Sequence, residues 1–218
     1  GNAAFNWCVS TGVYLGGANA KVSRCIIDDN HNGANGKCGG LYIDAGIAEN
    51  CLINGNSSSP SVSNGGGGVY IRRDTLGNCT VVGNSAKYHG GGILVEGGSV
   101  KNCIFQGNTI ADPITGGDGE PDWFCSSESL TNNFYNCDMP VAPNATCITN
   151  DPCFTDAANA DYTITKSSPV RNRGLYDASW MDDALDLAGN PRVDHKNRVD
   201  IGCYEVPYVE PGTLIMVK

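Results

Sequence analysis

Apolar and polar positions alternate along this chain in short bursts, and the bursts recur. The stretch "GGGGVYIRRDTLGNCTVVGN" aligns with "CGGLYIDAGIAENCLINGN" before it and "GGGILVEGGSVKNCIFQGN" after it. "TGVYLGGANAKVSRCIIDDN", further upstream, follows the same plan. Cys25, Cys51, Cys79 and Cys103 recur at steps of 26, 28 and 24 residues, and Asn30, Asn56, Asn84 and Asn108 each follow five residues later. Gly12, Gly40, Gly68 and Gly92 precede the apolar starts Val13, Leu41, Val69 and Ile93, with Leu15, Ile43, Ile71 and Val95 two positions on. Val22, Ala48, Leu76 and Val100 stand three residues before the cysteines, and Ile27, Ile53, Val81 and Phe105 two after. Such an interval marks a repeat architecture. Strands this short cannot pair within one unit, but each can pair with its counterpart in the next if the chain coils. The pattern predicts an all-β fold, a right-handed parallel β-helix with one unit per coil and a rise of about 4.8 Å. The cysteines then stack inward as small apolar residues. The asparagines stack at a bend where left-handed backbone is tolerated, and the glycines permit the turn before each strand.

Composition fits this reading. Glycine supplies 29 of 218 residues, and charged residues make up only 17%. A net charge of −9 would repel nucleic-acid phosphates and excludes that partner class. There is no run of about 18 apolar residues, so no transmembrane segment is expected. The chain starts "GNAAFNWCV", without Met, which reads as a mature or excised piece. Val13 starts a strand with no upstream coil, so the N-terminal edge is expected to be covered by missing chain or by another subunit. The 11 cysteines are an odd number and cannot all pair internally.

Alternation places candidate chemistry on the outer face. The residues after the inward strand starts, Tyr14, Tyr42 and Tyr70, are expected to form an exposed column continued by Leu94. Gly16, Asp44, Arg72 and Glu96 form a second column beside it. A line of aromatic faces suits the apolar faces of sugar rings. Asp44 and Glu96 lie two rungs apart, about 9.6 Å at backbone level, near the upper end of the spacing of about 6.5–9.5 Å used by inverting glycosidases. Arg72 between them would hold both ionised and leave no proton donor. No catalytic residue is assigned on this basis. His31, His89 and His195 are scattered and read as solvated loop residues. "GGDGEPDW" offers Asp118, Glu120 and Asp122 as oxygen ligands that suit Ca²⁺, although a structural turn is the favoured reading and no cofactor is required.

After Asn108 the repeat breaks, and a boundary falls near residue 138: residues 1–138 are coils, and residues 139–218 form a capping region. That second part contains "DPCF", "DYTI", "SPVRNRG", "DLAGNPR" and "VDIGCYE". Asp151, Pro152, Phe154, Asp161, Tyr162, Ser168, Pro169, Gly174, Asp186, Leu187, Gly189, Pro191, Arg192, Asp200, Ile201, Gly202, Tyr204 and Glu205 carry the pattern. It resembles the C-terminal region of bacterial surface-exposed parallel β-helix proteins of the choice-of-anchor Q type, with Cys203, Ile164 and Cys153 as departures. The resemblance implies a surface β-helix repeat protein and implies little about activity. The region is expected to cap the last coil, supported by an Arg192–Asp200 ion pair. In an exported protein, Cys147 with Cys153, or Cys125 with Cys137, would form disulfides.

The expected role is a secreted or cell-surface scaffold or binding module, non-catalytic and associated with a polysaccharide or cell-surface glycan. One alternative is a polysaccharide lyase or glycoside hydrolase with part of its site in a missing N-terminal region. A second is a structural protein of a self-associating assembly.

Overall fold

A computed structural model describes residues 3–4, 12–33, 36–59, 65–111 and 120–208. A short strand β1 (Ala3–Ala4) precedes the first full coil, which holds β2 (Val13–Ser23), β3 (Ile26–Asp28) and β4 (His31–Asn32). The second coil repeats this plan with β5 (Leu41–Glu49), β6 (Leu52–Asn54) and β7 (Ser57–Ser58). In the third, the long first strand divides into β8 (Val69–Ile71) and β9 (Thr75–Gly77), followed by β10 (Thr80–Val82) and β11 (Ser85–Ala86). The fourth has β12 (Ile93–Val95), β13 (Ser99–Lys101), β14 (Ile104–Gln106) and β15 (Thr109–Ile110). A last, irregular coil contributes β16 (Trp123–Cys125) and β17 (Phe134–Tyr135). The strands stack in parallel into three sheets, giving a β-solenoid of about four turns with almost no helix.

The register follows the columns read from the sequence. Val13 pairs with Leu41, Leu41 with Val69 and Val69 with Ile93, while Ile53, Val81 and Phe105 align on the neighbouring sheet. Their inward side chains form one core with the cysteines, in which Leu41, Ile43, Ile53, Leu76, Val100 and Phe105 are fully buried. Each large aliphatic removed from water contributes roughly 1.5–3 kcal/mol. Cys51, Cys79 and Cys103 are fully buried and stack, the Cys79 amide donating to Cys103 Sγ at 3.4 Å. Cys25, on the first coil, is instead exposed.

The asparagine column is a directed relay. Asn30 Nδ2 donates to Asn56 Oδ1 at 2.9 Å, Asn56 to Asn84 at 3.0 Å, and Asn84 to Asn108 at 2.9 Å. Asn108 Nδ2 then donates to Asp122 Oδ1 at 2.7 Å. The left-handed residues sit just before this column, at Asp29, Gly55, Gly83 and Gly107. A second left-handed column precedes the cysteines, at Arg24, Asn50, Asn78, Asn102 and Asn136. The strand-leading glycines answer to crowding and not to an unusual φ. A Cβ on Gly68 would lie 2.8 Å from both Asn84 Nδ2 and the Gly92 carbonyl, and one on Gly40 would lie 2.6 Å from the Gly68 carbonyl.

The C-terminal residues do more than cap. Asp138 bridges both Ile104 and Ile148, which extends the stack by a final rung. From there the chain turns back along the side of the solenoid. The outward residues Leu52, Val82 and Ile104 are buried beneath Phe154, Tyr162, Val170, Leu187, Ile201 and Cys203. An antiparallel pair, β18 (Phe154–Asp156) with β19 (Asp161–Ile164), belongs to this cover. The buried Arg192 pairs with Glu205, not with Asp200 as expected: Nη1 lies 3.2 Å from Glu205 Oε1, at an angle too poor for a hydrogen bond. Nη2 donates to the Gly202 carbonyl, and the Asn78 side-chain amide lies 2.6 Å from Nη2 and Nε, an acceptor for both once its oxygen is assigned to that side. Asp200 instead accepts the Asn172 and Val206 amides at 2.6 and 2.7 Å.

At the other end, β1 pairs with β4, so one edge of the first coil is covered. Among the described residues, β2 and β3 each have a strand partner on one side only.

Candidate functional site

The tyrosine column exists, but it is not an open face. Tyr14 and Tyr42 have ring centroids 5.3 Å apart, and Tyr42 and Tyr70 4.9 Å apart. Tyr14 is 50% exposed, whereas Tyr42 is 4% and Tyr70 0% exposed. Tyr42 and Tyr70 cluster with Cys38, Leu94 and Phe124, and Lys37 Nζ stands 5.4 Å from the Tyr70 ring centre. Alternation correctly sets these rings on the outside of the strand, but Cys38 packs with them and the next rungs, Leu94 and Phe124, continue the column. Burial raises the pKa values of both Tyr42 and Tyr70.

The charged column beside it is a closed ion ladder. Arg72 Nη1 meets Asp44 Oδ1 at 2.5 Å and its Nε meets Glu96 Oε2 at 3.2 Å, so one guanidinium bridges the two carboxylates. Arg73 adds a contact to Asp44 at 3.3 Å, and the Tyr70 hydroxyl donates to Glu96 Oε1. With these partners already in place, Asp44 and Glu96 make an intramolecular network and not an acid–base pair. Of the calcium candidates, only Glu120 and Asp122 lie among the described residues. Asp122 is buried and receives both the amide and the Nδ2 of Asn108; Glu120 is half-buried, and Asp118 lies outside the described residues. Among the described residues, no three His, Cys, Asp or Glu side chains converge as a metal centre requires. His89 departs from the expectation of a solvated loop residue. It is buried, stacked on Phe124 at 4.3 Å, and burial lowers its pKa.

A different face carries a groove. The outward positions on either side of Val22, Ala48, Leu76 and Val100 form two columns: Lys21, Ile47, Thr75 and Ser99, then Ser23, Glu49, Gly77 and Lys101. Over this strip the C-terminal cover extends Asp177, Ser179 and Trp180, enclosing about 350 Å³. A Cβ at Gly77 would stand 3.6 Å from Trp180 Cζ2, an ordinary van der Waals distance, so the indole lies directly over this position. Ile47 is exposed on the floor. Lys21 Nζ meets Glu49 Oε1 at 2.6 Å. At the other side stand Lys101 and Asp177, whose carboxyl is held below its usual range by Ser179 and, to a lesser degree, by Lys101.

The wall of the groove is held by local geometry. Asp177 Oδ1 accepts the Ser179 amide at 3.0 Å and its hydroxyl at 2.6 Å, an Asx-type turn that presents Trp180. Met181, fully buried, anchors the segment from below. Asn102 of the left-handed column clamps the approach: its Nδ2 donates to the Leu175 carbonyl at 2.9 Å and its Oδ1 accepts the Leu175 amide at 2.7 Å. None of the groove residues is among the sequence-derived candidates. The usable signal is Gly77, the smallest member of a column otherwise filled by Ser23, Glu49 and Lys101. Trp180 lies about a hundred residues downstream in a segment without the repeat, so periodicity cannot place it. Comparison of the chain with protein families, curated proteins and solved structures finds no match.

Proposed function

We propose that the protein is a non-catalytic binding scaffold of the cell surface or extracellular space, taking a glycan in the groove beneath Trp180. The observation that carries the reading is a half-buried indole held over Gly77 of the strip, with lysine and carboxylate groups on both sides. An aromatic face against the C–H face of a sugar, with charged donors and acceptors at its rim for the hydroxyls, is the chemistry of carbohydrate capture. The rigid stack beneath supplies preorganisation, which reduces the cost of binding. The surface location rests on the resemblance of the "DLAGNPR" and "VDIGCYE" segments to choice-of-anchor Q proteins of bacteria. The tyrosine column has no part in this reading, because two of its three rings are buried.

The test is a calorimetric titration with a panel of neutral and acidic oligosaccharides. A saturable change is expected with at least one, together with no release of reducing ends or unsaturated uronates from the matching polymers. Trp180→Ala should weaken binding about tenfold or more, the equivalent of ~1.4 kcal/mol of ring contact. Gly77→Leu, which fills the floor, should do the same, and Tyr14→Ala should change nothing. Binding that survives both groove variants, or a panel with no ligand, overturns the reading. Product release that depends on groove residues would replace it with the hydrolase or lyase alternative.

A further inference from the structure

The buried cysteine column does not stop at Cys103. Cys137 and Cys147 continue it, and both belong to the same core cluster. The bridge between Asp138 and Ile148 is parallel, so Cys137 and Cys147, one residue before each, are in-register neighbours on adjacent rungs. The Ile148 amide donates to the Cys137 carbonyl at 2.9 Å, and the Met139 amide to the Ile148 carbonyl at 3.1 Å, which fixes that register. Strand spacing of about 4.8 Å falls within the range of about 4.4–6.8 Å between Cα atoms that a disulfide spans.

This spacing is common to the whole column, so other features must single out one pair. Cys51, Cys79 and Cys103 each donate to the carbonyl two residues back at 3.1–3.2 Å, and each has core above and below it. Cys137 donates less closely, at 3.6 Å to the Val100 and Tyr135 carbonyls, and its Sγ accepts the Cys103 amide at 3.5 Å. Cys147 is the last thiol of the column and, at 9% exposure, retains a route to solvent. We infer that Cys137 and Cys147 are a disulfide-forming pair that staples the closing rung of the solenoid when the protein meets an oxidising thiol–disulfide environment. This assigns Cys147 to Cys137, in place of the Cys147–Cys153 and Cys125–Cys137 pairings expected from the sequence.

The oxidant is a small-molecule disulfide such as glutathione disulfide. Cys147 Sγ attacks one of its sulfurs as it sheds its proton. The S–S bond breaks, one thiolate leaves and takes up the proton that Cys147 has shed, and a mixed disulfide remains. Cys137 Sγ then attacks Cys147 Sγ, releasing the second thiol with the proton lost by Cys137. Two protein thiols are oxidised and one disulfide is reduced to two thiols. Only the first step needs access from solvent, and it falls on the more exposed residue.

The experiment incubates the whole protein with glutathione disulfide, alkylates the remaining thiols, and maps unreduced peptides by mass spectrometry. The expected result is one linked pair, the Cys137 and Cys147 peptides, lighter by two hydrogens than their sum, with a melting temperature about 5 °C higher than the reduced form. Cys147→Ser should abolish both changes while melting like wild type under reducing conditions, and Cys153→Ser should leave both intact. Recovery of Cys137 and Cys147 as alkylated thiols, or linkage of Cys137 to Cys103 or of Cys147 to Cys153, overturns the assignment.

Discussion

Each asparagine of the relay is both donor and acceptor, and at this scale the consequences are sharpest. Asn84 is fully buried; its Nδ2 donates to the Ile53 and Val82 carbonyls and to Asn108, while its Oδ1 accepts from Asn56. Asn84→Ala strands several buried groups at once and should lower the free energy of urea unfolding by about 2–4 kcal/mol. The last two members behave asymmetrically. Asp122→Asn keeps an acceptor oxygen and should be close to neutral. Asn108→Asp loses the donor to Asp122 and sets two carboxyl groups against each other, so it should destabilise strongly, and less so at acidic pH. The columns of Cys and Asn were legible in the sequence because they recur at a fixed phase. The direction of the hydrogen bonds was not, since spacing carries no information on donor and acceptor. Nor was the reason for Gly40 and Gly68, where the obstacle is a carbonyl and an amide from other parts of the coil.

At the scale of the element, alternation along a strand says which side a residue occupies but not what lies over that side. Tyr42 and Tyr70 are on the outer side of β5 and β8 as the pattern requires, yet Cys38 packs with them and Leu94 and Phe124 extend the column, so both rings are buried. The groove arises in the same way, from a strand face and a cover that belongs to no repeat. Its geometry depends on one corner residue. Asn102→Gly keeps the left-handed backbone at φ 52° and deletes the two-point clamp on Leu175 together with the 3.2 Å bond to Asn78. Emission from Trp180 should shift to longer wavelength in this variant, and glycan affinity should fall without loss of the coil fold, as followed by fluorescence and by far-ultraviolet circular dichroism. Unchanged emission would mean that Met181 alone sets the wall.

For the whole molecule, the lateral cover and the closing rung bring acidic groups into the interior. Burial pushes the Glu205 carboxyl up to about 9 despite the nearby Arg192, and pushes Asp138 up to about 7. A group raised on folding binds its proton more tightly in the folded chain, so its contribution is complete below the ordinary carboxyl value and is lost as pH climbs to the folded value. Glu205 therefore weakens the fold progressively between about pH 4.5 and 9, and Asp138 between about pH 3.8 and 7. Asp161 and Asp177, lowered by Thr163 and Ser179, act oppositely and cost stability only in stronger acid. The melting temperature should peak in mild acid and decline toward pH 9, and Glu205→Gln should flatten the alkaline part of that decline. A melting temperature that rises steadily from about pH 5 to 9 would contradict the buried, proton-retaining Glu205. The amide relay also gives the solenoid a built-in polarity and a length limit. A carboxylate can end a line of such bonds but cannot pass it on, so Asp122 acts as a terminator. Duplicating the unit that contains Asn84 should lengthen the rod by about 4.8 Å, whereas the same unit grafted beyond Asp122 would find no donor to receive it.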